Sequence, residues 1–306
     1  MTNAASGENS VLVVGGASFV ASHTLPRLIG AGEVYSTCRH GASPAPTAGV
    51  EWIPGNLAGS DPTENWPRRC GTVIYLAQSR AWRRFPEGAA DVFDVNVRAV
   101  FHAAEYARRA GAARFIFASS GSVYGPGAAP FLERDRLDVT GPKPFYSAAK
   151  LAAELLLGSY AGLLHVVILR LFVPYGEGES PDMLIPQLVR RVREGEPIQL
   201  DGEDGLQVNP VAVGDVAEAI DRCRRLQTSA TFNVAGPQVL TLRQIGQAIG
   251  AVVGREPRFE QRPGSAQMLV GDTAALREAT GWAPSTSLAD GLRAWLRPGG
   301  PASSGS

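Results

Sequence analysis

Apolar residues in the first half of the chain come in short uninterrupted runs: VLVVG at 11–15, EVYSTC at 33–38, VEWIP at 50–54, TVIYLA at 72–77, RFIFAS at 114–119 and HVVILRLF at 165–172. Runs of this length, rich in β-branched and aromatic residues and lacking an alternating polar face, predict strands buried on both sides. Between them the apolar spacing lengthens to the helical period. From Asp91 to Ala110, the residues Phe93, Val97, Val100, Phe101, Ala104 and Ala107 fall on one face, and YSAAKLAAELLLGSY at 146–160 is rich in helix formers. Strand and helix in alternation predict an α/β fold, a doubly wound parallel sheet covered by helices.

After Arg170 the pattern loosens into loops and shorter helical stretches, clearest in DMLIPQLVRRVREGEP, VGDVAEAIDRC and TLRQIGQAIGAVVG. The expected organisation is a first domain at 1–170, to which a helix near 213–225 returns, a second region at 171–300, and a flexible tail at 301–306.

Composition narrows the function classes. Of 306 residues 44% are hydrophobic and 19% charged, ordinary for a globular protein. Basic and acidic residues balance at 29 each and the arginine pairs are scattered, so no basic stripe points to nucleic acid. Cys38, Cys70 and Cys223 are odd in number and far apart, which suits neither a disulfide framework nor a metal site and fits a reducing cytoplasm. The start carries no charged head followed by an apolar run, and the most apolar stretch is broken by His165 and Arg170, so neither an export signal nor a membrane span is expected.

Three local patterns carry chemistry. VLVVGGASFVASH at 11–23 reads as strand, glycine turn and helix, the opening of a dinucleotide-binding unit. Gly15 and Gly16 supply the tight turn, while Ser18 and Ala21 stand where further glycines would be expected. In FYSAAK, Tyr146 and Lys150 are four residues apart and share a helical face, where an ammonium favours the phenolate and makes tyrosine usable as an acid or base. The strand RFIFASS ends in Ser119 and Ser120, at the edge of a parallel sheet that borders the ligand crevice, where a hydroxyl can bind a carbonyl oxygen.

Together with GNL at 55–57, YLAQS at 75–79, FASSGSVYG, LRLFVPYG, FNVAG and LREATGWAPSTSLADGL, these motifs make the chain resemble, over nearly its whole length, the extended short-chain dehydrogenase/reductases of the NAD-dependent epimerase/dehydratase family. The resemblance implies a Rossmann-type NAD(P) domain, a smaller C-terminal α/β substrate-binding domain, and a homodimer through the helices near 91–110 and 146–160. It makes Tyr146 the catalytic acid/base, Ser120 the group that polarises the substrate oxygen, and Lys150 the partner of the nicotinamide ribose. It carries Gly15, Gly16, Ser18, Phe19 and Val20 to the pyrophosphate, and Asn56 and Leu57 to the adenine. Leu76, Ala77 and Gln78 along the fourth strand, Asn96 and Phe172 complete the expected cleft.

Departures from the family pattern shape the rest. Cys38-Arg39-His40 ends the second strand without the usual aspartate, and Arg39 suits a 2′-phosphate, so NADP(H) is expected ahead of NAD(H). Ser18 is expected to loosen the grip on the pyrophosphate. On the substrate side, Val173 replaces an asparagine, Gln207 an arginine and Ala212 a histidine, whereas Arg262 keeps a second diphosphate arginine and Ser122 faces the substrate. Gly121-Ser122 stands where dehydratases carry an acidic pair, which disfavours dehydration. The expected function is reduction of a keto group on a sugar or sugar-like, nucleotide-linked small molecule. Its rivals are an epimerase with retained NAD and a non-catalytic dinucleotide sensor.

Overall fold

A computed structural model describes residues 9–296 apart from 31, 42–46, 138, 140, 142 and 266; the expected tail at 301–306 lies outside the described residues. In chain order the elements are β1 (Val11–Val14), α1 (Phe19–Leu28), β2 (Val34–Arg39), β3 (Val50–Gly55), β4 (Thr72–Tyr75), α2 (Ala89–Phe93), α3 (Ala99–Ala110), β5 (Arg114–Ser120), α4 (Phe145–Gly158) and β6 (His165–Leu171). There follow β7 (Pro174–Tyr175), α5 (Leu184–Glu194), β8 (Pro197–Asp201), β9 (Gln207–Val208), β10 (Val211–Ala212), α6 (Val213–Cys223) and β11 (Ala230–Val234). The chain closes with β12 (Leu240–Thr241), α7 (Leu242–Val253), β13 (Arg258–Arg262), β14 (Met268–Leu269), α8 (Ala274–Thr280) and α9 (Leu288–Trp295).

Seven strands form the main sheet in the order β3-β2-β1-β4-β5-β6-β11. The β1/β2, β2/β3, β1/β4 and β4/β5 pairs are parallel. The order reverses between β1 and β4, so the loops leaving those strands diverge and open a crevice at their carboxyl ends. Every residue of β1 and β4 is buried, which is why their runs show no polar alternation.

The residues divide into two compact units. The first comprises the described residues of Met1–Val123, Asp138–Arg170 and Ala217–Phe232. Its core packs Leu12, Val73, Tyr75, Phe115 and Phe117 of the sheet against Val100, Ala103, Ala104 and Ala107 of α3 and Leu157 of α4. Each large side chain so buried contributes about 1.5–3 kcal/mol. The alanine face of α3 lets that helix lie close on the sheet, and Gly111, at φ 75°, ends it in the left-handed conformation.

The single helix expected over 91–110 is interrupted by a π-helical turn at Asp94–Arg98. Two bonds account for it: Tyr75 donates its hydroxyl hydrogen to the Val95 carbonyl, and the Asn96 side-chain oxygen accepts from the Ser79 amide at 3.1 Å. They draw the turn toward the end of β4, and the helix takes up one extra residue there.

The second unit comprises the described residues of Tyr124–Leu137, Leu171–Val216 and Asn233–Ser306. Its core gathers Tyr175, Ile185, Leu188, Ile198, Leu200, Ile245, Ile249 and Leu292. A capping box between Thr241 and Gln244 starts α7. Trp282 is fully buried and donates its indole hydrogen to the Asp215 carbonyl at 3.0 Å.

A boundary at 170 places 124–137 in the first domain, but this segment is built into the second unit. Tyr124 stacks on Phe131 at 4.5 Å and donates to the Asn233 side chain at 2.9 Å, and Gly127 and Phe131 form β-bridges to Met268 and Gly271. Conversely, 217–232 belongs to the first unit, where Arg114 donates to the Leu226 carbonyl at 2.7 Å and Ser229 accepts from the Val166 amide at 3.0 Å.

Among the described residues no helix is long and apolar enough to cross a membrane. All three cysteines are buried thiols.

In the second unit Glu179 has one carboxyl oxygen enclosed without a hydrogen-bond partner, and burial pushes its pKa up to about 9. An unfolded chain releases this proton near ~4.3, so the folded protein holds an extra proton between the two values and loses stability as pH rises through that window. Glu179→Gln is therefore expected to raise the melting midpoint more at about pH 8 than at about pH 5, read from thermal scans at both. Equal shifts would show that the carboxyl is not held protonated.

Candidate active site

In the first unit the carboxyl ends of β1, β4 and β5 meet the starts of α1 and α4. The turn after β1 is fixed by close approach. Gly15, at φ 89°, would place a Cβ 2.6 Å from the Ala77 Cα, and a Cβ on Gly16 would overlap the Ser36 hydroxyl and the Trp52 ring. The Gly15 amide donates to the Thr37 hydroxyl and the Gly16 amide to the Thr37 carbonyl, both at 2.9 Å. Side chains are thus excluded by β2, β3 and the loop leaving β4, before any ligand is considered.

Ser18 precedes α1 in extended conformation, yet its hydroxyl makes no capping bond and is buried without a partner. Phe19 and Val20 follow half-buried, and Ala21 is fully buried, as a small residue must be where helix meets sheet. A buried hydroxyl at a helix N-terminus, beside amides that lack intrahelical acceptors, suits a bound anion. The expected loosening by Ser18 therefore has to be weighed against a hydroxyl that is free to bond. Ser18→Ala is expected to weaken nucleotide binding several-fold without lowering the melting midpoint, compared by calorimetric titration and thermal scans. Unchanged affinity would return Ser18 to a spacer role.

At the end of β2, Cys38 is buried, with its thiol raised by burial, and Arg39 is exposed. An open cavity beside it is lined by His40, Asn56, Asp61, Glu64 and Trp66. The Thr63 amide and hydroxyl both donate to Asp61 and hold its carboxyl below the usual range. The Asn56 side chain is exposed and accepts from the Ala58 amide at 3.1 Å, while Leu57 packs against the core. Leu76 and Ala77 are buried, Gln78 is half-buried, and Asn96 is fully buried with its side-chain nitrogen unpartnered.

Ser120 ends β5 and Ser122 sits in the 3-10 turn Gly121–Val123. Ser120 and Ser147 both donate to the Ser122 hydroxyl at 3.0 Å, and the Ser122 amide donates to the Ser120 hydroxyl at 3.1 Å. Tyr146, in the first turn of α4, has its ring 5.3 Å from that of Trp82. Burial pushes its phenol up to about 12, and hydrogen bonds to the Ser120 and Gln78 side chains oppose the rise.

One turn later Lys150 is buried. It donates to the Ala118 carbonyl at 2.8 Å and lies 5.9 Å from the centre of the Tyr146 ring. Burial lowers its pKa to about 7, against an opposing pull from Glu154. The expected lowering of the phenol by Lys150 does not describe this resting site. The ammonium is engaged by a carbonyl, burial outweighs the favourable bonds, and Tyr146 rests protonated.

The remaining expected residues lie in the second unit. Phe172 is fully buried against Tyr124, where a Cβ on Gly271 would overlap its ring, so it serves that unit's core. Val173 has φ 46°, the one left-handed non-glycine among the described residues. A β-branched residue is strained there, whereas the asparagine of the family pattern tolerates the conformation. Gln207 is half-buried in β9, paired with Thr241 and Met268; Ala212 is buried. Arg262 is exposed at the end of β13, in register with Asp201 of β8.

Two features escaped the sequence reading. Trp82 lies in a loop without periodicity. Glu154 was visible as the residue one turn beyond Lys150, but its partner, Arg170, is distant in sequence and comes into reach only through the sheet.

A parallel sheet with this strand order, a glycine turn at its switch point and a Ser–Tyr–Lys cluster at the end of β5 define a short-chain dehydrogenase/reductase of the extended type. The model of the NAD dependent epimerase/dehydratase family matches residues 11–235, and the chain belongs to that family. Over 246 residues it is 27% identical to a probable UDP-glucuronate 4-epimerase of Rhizobium meliloti, covering 72% of each chain. The structure of MoeE5 in complex with UDP-glucuronic acid and NAD matches with a TM-score of 0.78 at 27% identity, over 94% of this chain and 97% of that one. The UDP-glucuronic acid 4-epimerase of Bacillus cereus in complex with NAD matches with a TM-score of 0.80 over 94% and 97% of the chains, a likeness of fold at 20% identity.

Proposed function

We propose that this protein is a nucleotide-sugar epimerase that oxidises and re-reduces one carbinol carbon of a UDP-linked hexose or uronic acid, with its nicotinamide cofactor retained between the two half-reactions. The observation that carries the reading is one acid–base tyrosine, Tyr146, bonded to Ser120, with no carboxylate at Gly121-Ser122 to expel water. Such a site reverses a proton transfer at a single oxygen and does not dehydrate. The relatives named as UDP-glucuronate 4-epimerases favour this reading over the ketoreductase expected from Arg39 and Ser18.

The Gly15-Gly16 turn, the unpartnered Ser18 hydroxyl and the unpartnered Asn96 amide fit a dinucleotide. A nicotinamide held there supplies the two-electron oxidation and reduction of the sugar carbon. Ser120 orients the sugar hydroxyl, Tyr146 as phenolate takes its proton while the carbon is oxidised, and Tyr146 returns that proton when the ketone is reduced from the opposite face. The cofactor is NAD(H), the nucleotide bound in the MoeE5 and Bacillus cereus structures, and the acidic Asp61 and Glu64 lining the cavity beside Arg39 suit a ribose diol better than a 2′-phosphate. Arg39 is the observation that favours NADP(H) and the reductase reading.

The chain pairs with a second copy through α3 and α4, whose Phe101, Leu155 and Leu156 are exposed. A monomer in sedimentation at working concentration would remove that interface.

The functional test is to denature the purified protein, identify the nucleotide released, and follow UDP-glucuronic acid and UDP-glucose by proton NMR. Near-stoichiometric NAD and interconversion of one sugar with its epimer, without net redox change, are expected. Release of no nucleotide, with turnover only on added NADPH, would overturn the epimerase in favour of the reductase.

A further inference from the structure

Beneath Tyr146 the first unit buries three charges together. Lys150, Glu154 and Arg170 are 3%, 6% and 6% exposed, values that ordinary surface charges do not approach. Lys150 and Glu154 are one turn apart on α4, the spacing at which lysine and glutamate normally pair. They do not pair here. Arg170 of β6 holds Glu154 through its Nε at 3.2 Å and Nη2 at 2.7 Å, and the Ser119 hydroxyl donates to the same carboxylate. Lys150 turns instead to the Ala118 carbonyl at 2.8 Å. Ser119 and Ala118 are the two residues before Ser120, so the carboxylate and the ammonium are both tied to the strand end that carries the catalytic hydroxyl.

The charges balance only in one protonation state. With Tyr146 neutral, Lys150, Arg170 and Glu154 sum to one net positive charge; with Tyr146 as phenolate the buried cluster is neutral. A second cation without Glu154 would leave Lys150 beside an uncompensated guanidinium in a medium that already disfavours its charge. A glutamate without Arg170 would close onto Lys150 and spend the charge that the phenolate needs.

We propose that Glu154 is a positioning residue that keeps the Lys150 ammonium charged, and that Arg170 holds Glu154 off Lys150 so that this charge stays available to Tyr146. The proposal rests on Tyr146 as the acid–base group. Charges on the other elements packed against α4 are engaged elsewhere. Asp91 of α2 accepts from Ser79, Asp94 pairs with Arg98 at 3.0 Å, Glu105 of α3 pairs with Arg108 at 3.0 Å, and Arg114 of β5 donates to Leu226. Of the groups facing Lys150, Glu154 is the one whose field raises its pKa, against the burial that brings it to about 7.

The experiment is a pH titration of the protein carrying carbon-13-labelled lysine, followed by NMR, with the Lys150 signal assigned by its loss in Lys150→Met. It needs no substrate, so its failure is distinct from failure of the epimerase reading. Glu154→Gln should move the Lys150 midpoint down by about one pH unit or more, and Arg170→Gln should move it up, because the released carboxylate then pairs with Lys150. A pair that does not act on the charge of Lys150 would leave the midpoint unmoved in both. If either single variant fails to fold, Arg170→Lys, which keeps the charge but cannot hold the carboxylate through two nitrogens, should still move the midpoint up. An unmoved midpoint in the folded variants, or shifts of the same sign in both singles, would overturn the proposal.

Discussion

Tyr146→Phe is expected to cut turnover of the nucleotide sugar by roughly 10²–10⁴-fold, the range general acid–base catalysis supplies. Nucleotide affinity should stay within a few fold. The substitution keeps the ring, and with it the packing 5.3 Å from Trp82, so the fold and the cleft wall are retained. It deletes the hydroxyl that bonds to Ser120 and Gln78, and no other titratable group is bonded to that point. Because burial holds the phenol at about 12, the tyrosine starts as an acid, and a base-catalysed oxidation must first remove its proton. The oxidation half-reaction should therefore accelerate as pH rises toward that value in the native protein and lose this dependence in the variant. Single-turnover kinetics with the bound nucleotide read both effects. Near-native turnover in Tyr146→Phe would mean that the proton moves through another group.

The strands of the main sheet were legible because both their faces are covered, so that a run such as VLVV has nothing polar to interrupt it. The Ser120, Tyr146 and Lys150 cluster was legible for a different reason: two members share a helical face and the third ends a strand. What the sequence did not reveal are bonds between distant residues. The π turn at Asp94–Arg98 arises from Tyr75 reaching Val95, and no periodicity announces a carbonyl drawn off the helix. Segment 124–137 joined the second unit through the Tyr124–Phe131–Asn233 contacts, which a linear boundary at 170 cannot express. The surroundings of Ser18 were hidden for a related reason. Residue type alone suggests crowding, whereas the hydroxyl in place is a buried donor in want of an acceptor. The reductase reading leaned on that crowding and on Arg39, whereas the relatives named as UDP-glucuronate 4-epimerases favour its alternative.

Gly15→Ala should strongly damage the first unit, and Gly30→Ala separates its causes. Both glycines have φ 89°, so both substitutions force an alanine into the left-handed region at a cost of about 1–2 kcal/mol. Around Gly30 nothing lies within 4 Å of the added carbon, whereas at Gly15 it meets the Cα, N and Cβ of Ala77 at 2.6, 2.7 and 2.8 Å. Two of those atoms are backbone of the loop leaving β4, which cannot yield without moving the crevice between β1 and β4. Overpacking of this kind adds about 1–3 kcal/mol. For a protein of this size the Gly15 variant should melt roughly 5–15 °C below the native protein and the Gly30 variant only a few degrees below. Nucleotide retention discriminates further. Displacing the turn shifts the Gly16 amide away from Thr37 and the α1 N-terminus away from the pyrophosphate, so Gly15→Ala should purify without nucleotide, while Gly30→Ala should retain it. Equal melting losses in the two variants, or nucleotide retained by both, would show that Gly15 answers to backbone conformation alone and that its contact with Ala77 does not shape the cleft.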